Sequence, residues 1–242
     1  MPSLKKAPEA TKRDAVKTRA RILDAAQSLF CKHGLDGSTV EAIAKVAVVN
    51  KRMVYYYFGG KAELYLAVLE KTYANRRQHD SVLEMTEGDP EQCMRRLVRS
   101  SFRYCRNNPD YIKLLLAENL NGAKHLRRSK KVLNLHSPLL EKLGALLERG
   151  QQIGLFRAYT DPLQVYLTIA SLCFFYHSNN ATLSTVFGRD FSSSDSSIER
   201  EVHVEDVVLS YLKTRPSVEK KTRHQESAGH KPLEMIKHDN VN

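Results

Sequence analysis

Lys51, Arg52, Met53, Tyr55 and Tyr56 stand within six consecutive positions, KRMVYY, of a 242-residue chain. On a helix opening at Lys51 they share the outward side, while Val54, Tyr57 and Phe58 recur at i, i+3 and i+4 on the other. The outward set has the chemistry of nucleic-acid recognition. A guanidinium such as that of Arg52 matches the O6 and N7 acceptors of guanine with two parallel bonds. The Lys51 ammonium suits a phosphate, and tyrosine hydroxyls reach phosphates while their rings pack on thymine methyls. Bond-making chemistry has no comparable signature. The chain has no H-E-x-x-H, no G-x-S-x-G, no phosphate-cradling glycine loop and no dinucleotide fingerprint.

These side chains need a short, well-started helix and a rigid support. Asn50 is a good N-cap for a helix over about 51–57, and Gly59-Gly60 ends it, because glycine takes left-handed backbone cheaply. Before it, Ser38 and Glu41 read as a capping box for another short helix with Val40, Ile43, Ala44 and Ala47 on one stripe. Val48 and Val49 break that stripe. Two short helices around a tight turn form a helix-turn-helix able to enter a major groove. Thr39, at the start of the first, could take a phosphate. A preceding helix over 17–33 packs Ile22, Ala26, Leu29 and Phe30 behind the pair. Its Lys17, Arg19 and Arg21 could reach phosphates. Residues 1–16 are polar and basic and read as a mobile arm, either following DNA or only solubilising the chain. Lys61 opens a longer helix, about 61–79, with Leu64, Val68 and Leu69 inward; the positive end of its dipole suits a phosphate.

Charge supports this placement. Residues 1–80 hold 15 Lys and Arg against 8 Asp and Glu, whereas residues 81–214 hold 17 against 15. The basic excess therefore sits with the helix-turn-helix, as in nucleic-acid binders. Cys31, Cys93, Cys105 and Cys173 have no zinc spacing and suggest no disulfide framework, so no metal or cofactor is expected. With no signal peptide legible, the expected compartment is the reducing cytoplasm. The most apolar run, 163–176, is too short for a membrane span.

From about residue 80 the chain reads as further helices: 91–106, 109–120, 139–152, 162–179 and 196–213, with a basic stretch 124–131 and a flexible serine loop at 192–197. Residues 215–242 read as disordered. The fold class is all-α: an N-terminal three-helix domain (17–79) and a C-terminal helical domain (80–214). The helix from Pro162 is apolar nearly all round and needs cover on both sides, which a second copy of the chain would supply.

The stretches TRARILDAAQSLFCKHG, TVEAIAKVAVVNKRMVYYYF and KAELYLAVLE resemble the DNA-binding domain of TetR-family transcriptional regulators. Two departures stand out. Val48 replaces the glycine usual in the turn, and Arg52 replaces a smaller residue. The resemblance implies a homodimeric repressor that binds a palindromic operator on double-stranded DNA and is released by a small-molecule effector, with no membrane association. It supports a phosphate role for Lys61. It also implies a dimer interface from the last two long helices, for which Tyr166, Leu172, Phe174, Phe175, Val204, Val208 and Tyr211 are candidates. The effector would bind between C-terminal helices, near polar or aromatic groups on apolar helices: Tyr104, Asn119, His136, Tyr166 and His177. NPDYIKLLLAENL, LHSPLLEKL and FFYHSNNATLSTVFGRD more loosely resemble a TetR subgroup that includes sensors of pyrimidines or nicotinate-type compounds. The competing readings are an enzyme, which lacks every motif above, and an architectural or membrane-surface helical protein, which would bind DNA without sequence preference.

Overall fold

Local capping chemistry sets most helix boundaries. The computed structural model describes residues 9–133 and 137–213, and every regular element among them is helical. Helix α1 spans Glu9–His33. Residues 9–16, expected as part of a mobile arm, are its first turns. They lack an apolar stripe, but EATKRDAV contains strong helix formers and neither Gly nor Pro, so propensity extends the helix that Ile22, Ala26 and Phe30 anchor. The rest of the expected arm (1–8) and the expected disordered tail (215–242) lie outside the described residues.

α2 is Val40–Val46 and α3 is Lys51–Phe58. The cap of α2 is Thr39 rather than Ser38. The Thr39 hydroxyl oxygen accepts from the Ala42 N–H at 3.1 Å, whereas buried Ser38 donates its hydroxyl to the Gly34 carbonyl at 2.7 Å. Asn50 caps α3 as expected, its Oδ1 accepting from the Arg52 N–H at 2.9 Å. Val48, in the turn between them, holds φ at 53° and is 79% exposed. A β-branched residue there is strained by about 1–2 kcal/mol, and the exposed side chain gains little from packing.

α4 spans Lys61–Ser81, α5 Pro90–Asn107, α6 Pro109–Leu120, α7 Lys130–Leu133, α8 Ser137–Gln152, α9 Pro162–Phe187 and α10 Ser194–Lys213. The basic stretch 124–131 holds a 3-10 turn, Leu126–Arg128, and the start of α7. α9 runs beyond its expected end near Asn179 and stops only where Gly188 adopts the left-handed conformation. The serine loop is shorter than expected. Ser194–Ser197 form the first turn of α10, and buried Ser196 donates to the Asp190 carbonyl at 2.8 Å.

Two apolar cores result. One joins α1, α2, α3 and the first half of α4 through Ile22, Phe30, Ile43, Val54, Leu64 and Val68, and it takes in Leu114 of α6. The other joins α5, α8, α9 and α10 through Met94, Phe102, Leu146, Ile169, Val204 and Val208. α4 belongs to both neighbourhoods: its second half buries Thr72, Arg76, Arg77 and Asp80 instead of apolar residues. α6 also ties the halves together. Asp110 accepts from Gln27 of α1 at 3.3 Å, and buried Glu118 accepts the N–H groups of His125 and Leu126 at 2.7 and 2.9 Å.

Lys61 fixes the start of α4. Its ammonium donates to the carbonyls of Leu35 and Ser38 at 2.9 and 3.1 Å, binding the α1–α2 connection to α4. This is a structural use for a residue expected to contact a phosphate. The strain at Val48 gives a direct test: Val48→Gly is expected to raise unfolding free energy by about 1 kcal/mol in urea melts, because glycine relieves the positive φ at a modest entropic cost. A less stable variant would mean that the valine side chain makes compensating contacts.

Candidate nucleic-acid interface and an internal cavity

The exposed face of α3 presents Lys51, Arg52, Tyr55 and Tyr56, the last 80% exposed. Val54 and Phe58 are buried beneath it, and Tyr57 is half-buried, as the spacing requires. Met53 differs from expectation: it is half-buried and packs against the N-terminal core. Lys51 lies 3.5 Å from Glu41, but both side chains are well exposed, so the pair is weak and the ammonium can leave it. Among the described residues no acidic group pairs with the Arg52 guanidinium. Thr39 is exposed; its oxygen accepts the cap bond, which leaves its O–H free to donate outward. Lys17 and Arg21 are exposed on α1, and the exposed Arg19 guanidinium lies 4.8 Å from the centre of the Phe58 ring.

A cavity of about 330 Å³ lies between α4, α5, α6 and α9. Tyr73, Arg76, Tyr111, Tyr166 and Phe174 line it, with Asn119 among its polar groups. Asn119 and Tyr166 are therefore where the sequence placed them. The other pocket candidates are not. Tyr104 stacks under the Arg76 guanidinium at 4.7 Å and meets the Tyr111 ring edge-on; it borders a larger, more open hollow of about 480 Å³ with Asn75, Gln78, His79 and Arg103. That hollow is a surface groove, whereas the smaller cavity carries the buried charges. His177 packs on Phe102 and Tyr176, away from the cavity; burial, aided by Arg106, pushes it down to about 4 and keeps it neutral. His136 lies outside the described residues.

The polar cluster beside the cavity was not read from the sequence. Arg76 donates through Nη2 to the Ser101 hydroxyl at 3.0 Å and lies 3.1 Å from Asp80 Oδ1. Arg77 donates to Asp80 Oδ2 and to the Tyr166 hydroxyl, both at 2.9 Å. Burial pushes the Asp80 carboxyl up, against the pull of the two guanidiniums. The available signal was the spacing: Leu64, Val68, Thr72, Arg76 and Asp80 follow each other at i, i+4, so one apolar stripe becomes polar halfway along the helix.

The interface candidates also divide. Val204 and Val208 are wholly buried in their own protomer's core and present nothing to a partner. Leu172 and Phe174 are half-buried against that core, and Tyr166 turns to the cavity. Phe175 and Tyr211 are exposed, together with Leu163 and Leu167 of α9 and Ile198, Val202 and Val207 of α10. The α10 sequence carries two apolar stripes, and the one first read as the interface, containing Val204, Val208 and Leu212, faces inward. No helix among the described residues is long and apolar enough to cross a membrane.

Comparison with known proteins agrees with this geometry. Residues 22–68 match the model of bacterial regulatory proteins of the tetR family, and residues 90–208 match that of the tetracyclin repressor-like C-terminal domain. The transcriptional repressor NicS of Pseudomonas putida is 37% identical over 199 residues, covering 82% of this chain and 94% of NicS. The transcriptional regulator TtgR of Pseudomonas putida is 36% identical over 156 residues, covering 60% of this chain and 72% of TtgR. Among solved structures, a transcriptional regulator of Streptomyces coelicolor superposes with a TM-score of 0.60 at 26% identity, covering 81% of this chain and 98% of its own. Salmonella enterica GusR shares the fold, with a TM-score of 0.61 at 19% identity over 81% of this chain and 96% of its own. With a helix-turn-helix and a helical C-terminal domain both in place, this chain belongs to the TetR family of DNA-binding transcriptional regulators and is not an enzyme.

Proposed function

We propose that the chain is a repressor that binds an inverted-repeat operator as a homodimer and releases it when a small molecule occupies the cavity between α4, α5, α6 and α9. The observation that carries this reading is the double membership of α4. Its first half is built into the core under the recognition helix, and its second half lines the cavity. A ligand that prefers one position of that helix thereby prefers one placement of the DNA-binding head, which is the condition for regulation.

On the DNA, Arg52 is the base-reading residue, with its exposed fork matched to a guanine edge. Lys51, Thr39, Tyr55 and Tyr56 hold phosphates or pack on thymine methyls. Lys61 acts indirectly, by fixing the head to α4. The first N–H groups of α4 have no side-chain cap and can receive a phosphate. One recognition helix reads few base pairs, so two are required, about 34–36 Å apart. The outward apolar face of α9 and α10 around Phe175, Leu167 and Val207 supports the pairing of two chains.

Selection of DNA from a random pool by the purified chain is expected to yield an inverted repeat. Arg52→Ala should then relax the preference at one position of each half-site, at a cost of about 1–3 kcal/mol. A pool that stays random under tight binding would favour the architectural reading, since phosphate contacts alone do not select. Phe175→Glu is expected to convert the dimer to a folded monomer in sedimentation, because the side chain is 55% exposed in one protomer and its loss leaves that protomer's core intact. A stable dimer carrying the glutamate would place the interface elsewhere.

A further inference from the structure

We infer that the effector is a small, ring-bearing monoanion whose acidic group is received by the Arg76 guanidinium. This rests on the reading of the cavity as the effector site and adds its chemistry.

The argument starts from an imbalance. Beside the cavity two buried guanidiniums face one carboxylate, that of Asp80. Arg76 is 7% exposed and Arg77 8% exposed, so bulk water does little to neutralise them. Their hydrogen bonding is also incomplete. Arg76 Nη1 has no partner, and Arg77 Nε has none. Asp80 Oδ1, although 3.1 Å from Arg76 Nη2, is not aligned to accept a hydrogen bond from it. Buried polar groups are almost always paired, and an unpaired buried guanidinium N–H is costly. Burial disfavours the Arg76 charge, but Asp80 and the neighbouring tyrosines outweigh it, so the cation persists.

The same fold shows what a purely structural arginine looks like. Between α5 and α10, Arg103 forks onto both oxygens of Glu201, at 2.7 and 3.0 Å. Arg76 has no such arrangement. It borders a cavity instead, with the Tyr104 ring under its plane at 4.7 Å holding the fork in one orientation.

The excess of one cation selects a monoanion and rejects a cation. The planar fork favours a carboxylate, which it can bind through two parallel bonds. Tyr73, Tyr111, Tyr166 and Phe174 provide aromatic walls suited to a flat ring, and about 330 Å³ accommodates a compact molecule and not a long chain. Arg76 shares its stripe of α4 with Leu64 and Val68, which lie in the core beneath the DNA-binding head. An anion drawn to Arg76 therefore acts on the helix that carries the head.

The test is calorimetric titration of the full-length chain with matched acid and amide pairs: benzoate and benzamide, 2-furoate and 2-furamide, cyclohexanecarboxylate and its carboxamide. The acids are expected to bind at least about tenfold more tightly than their amides, the scale of one charge-assisted bidentate contact. Arg76→Gln should abolish that difference while leaving the amides unaffected. Arg76→Lys, which keeps the charge without the fork, should retain part of it, and it decides the matter if circular dichroism shows the glutamine variant unfolded. Amides that bind as well as acids, or an acid preference that survives both substitutions, would overturn the anion inference and leave the cavity standing as an effector site. If no acid and no amide binds, both the inference and that assignment fall.

Discussion

The structure depends on one helix having to satisfy two interiors. Along α4 the residues Leu64, Val68, Thr72, Arg76 and Asp80 lie on a single face. The first two fill the core under the recognition helix, and the last two sit beside the cavity. An apolar continuation would have fused the halves into one dry core. The polar continuation instead leaves an under-satisfied charged cluster next to empty space, and such a cluster can respond to a ligand. The Lys61 ammonium secures the near end of the same helix by binding two carbonyls of the α1–α2 connection. Movement of α4 is thereby conveyed to the parts that meet DNA.

The DNA-binding head is arranged to leave its chemistry unspent. Asn50 and Thr39 close the helix starts, Gly59 closes the end of α3, and Val54 and Phe58 supply the packing. Arg52, Tyr55 and Tyr56 contribute little to that framework, so they can serve recognition. Val48 is the exception, a β-branched residue at positive φ with most of its surface in solvent. Strain of this kind persists only where the surroundings hold it. Here the α2–α3 turn holds it, through the Val49 N–H donating to the Ala44 carbonyl at 3.0 Å.

The sequence made the head legible because its signals are local. A cap, a glycine stop and an i, i+3, i+4 stripe each act within a few residues, and α3 formed where they placed it. Three kinds of feature were not legible. Helix length went astray where propensity alone decides, at the start of α1 and the end of α9. Which of two apolar stripes faces inward depends on neighbours distant in sequence, so Val204 and Val208 were assigned outward although they are core. The cavity escaped because its decisive residues, Arg76 and Arg77, resemble any exposed basic pair until α5 and α9 cover them. Periodicity could have identified Arg76, since it continues a buried stripe, but Arg77 follows no such pattern.

Coupling between two sites is reciprocal, so DNA at the head must alter the cavity as surely as a ligand in the cavity alters the head. The most direct measurement is amide hydrogen exchange of the full-length chain, free and bound to DNA that it has selected itself. The account predicts changed protection in α2 and α3 and also in the cavity-lining parts of α4, α6 and α9, around Arg76, Tyr111 and Tyr166. Changes confined to α2, α3 and the first turn of α4, with the cavity segments exchanging as in the free chain, would contradict it.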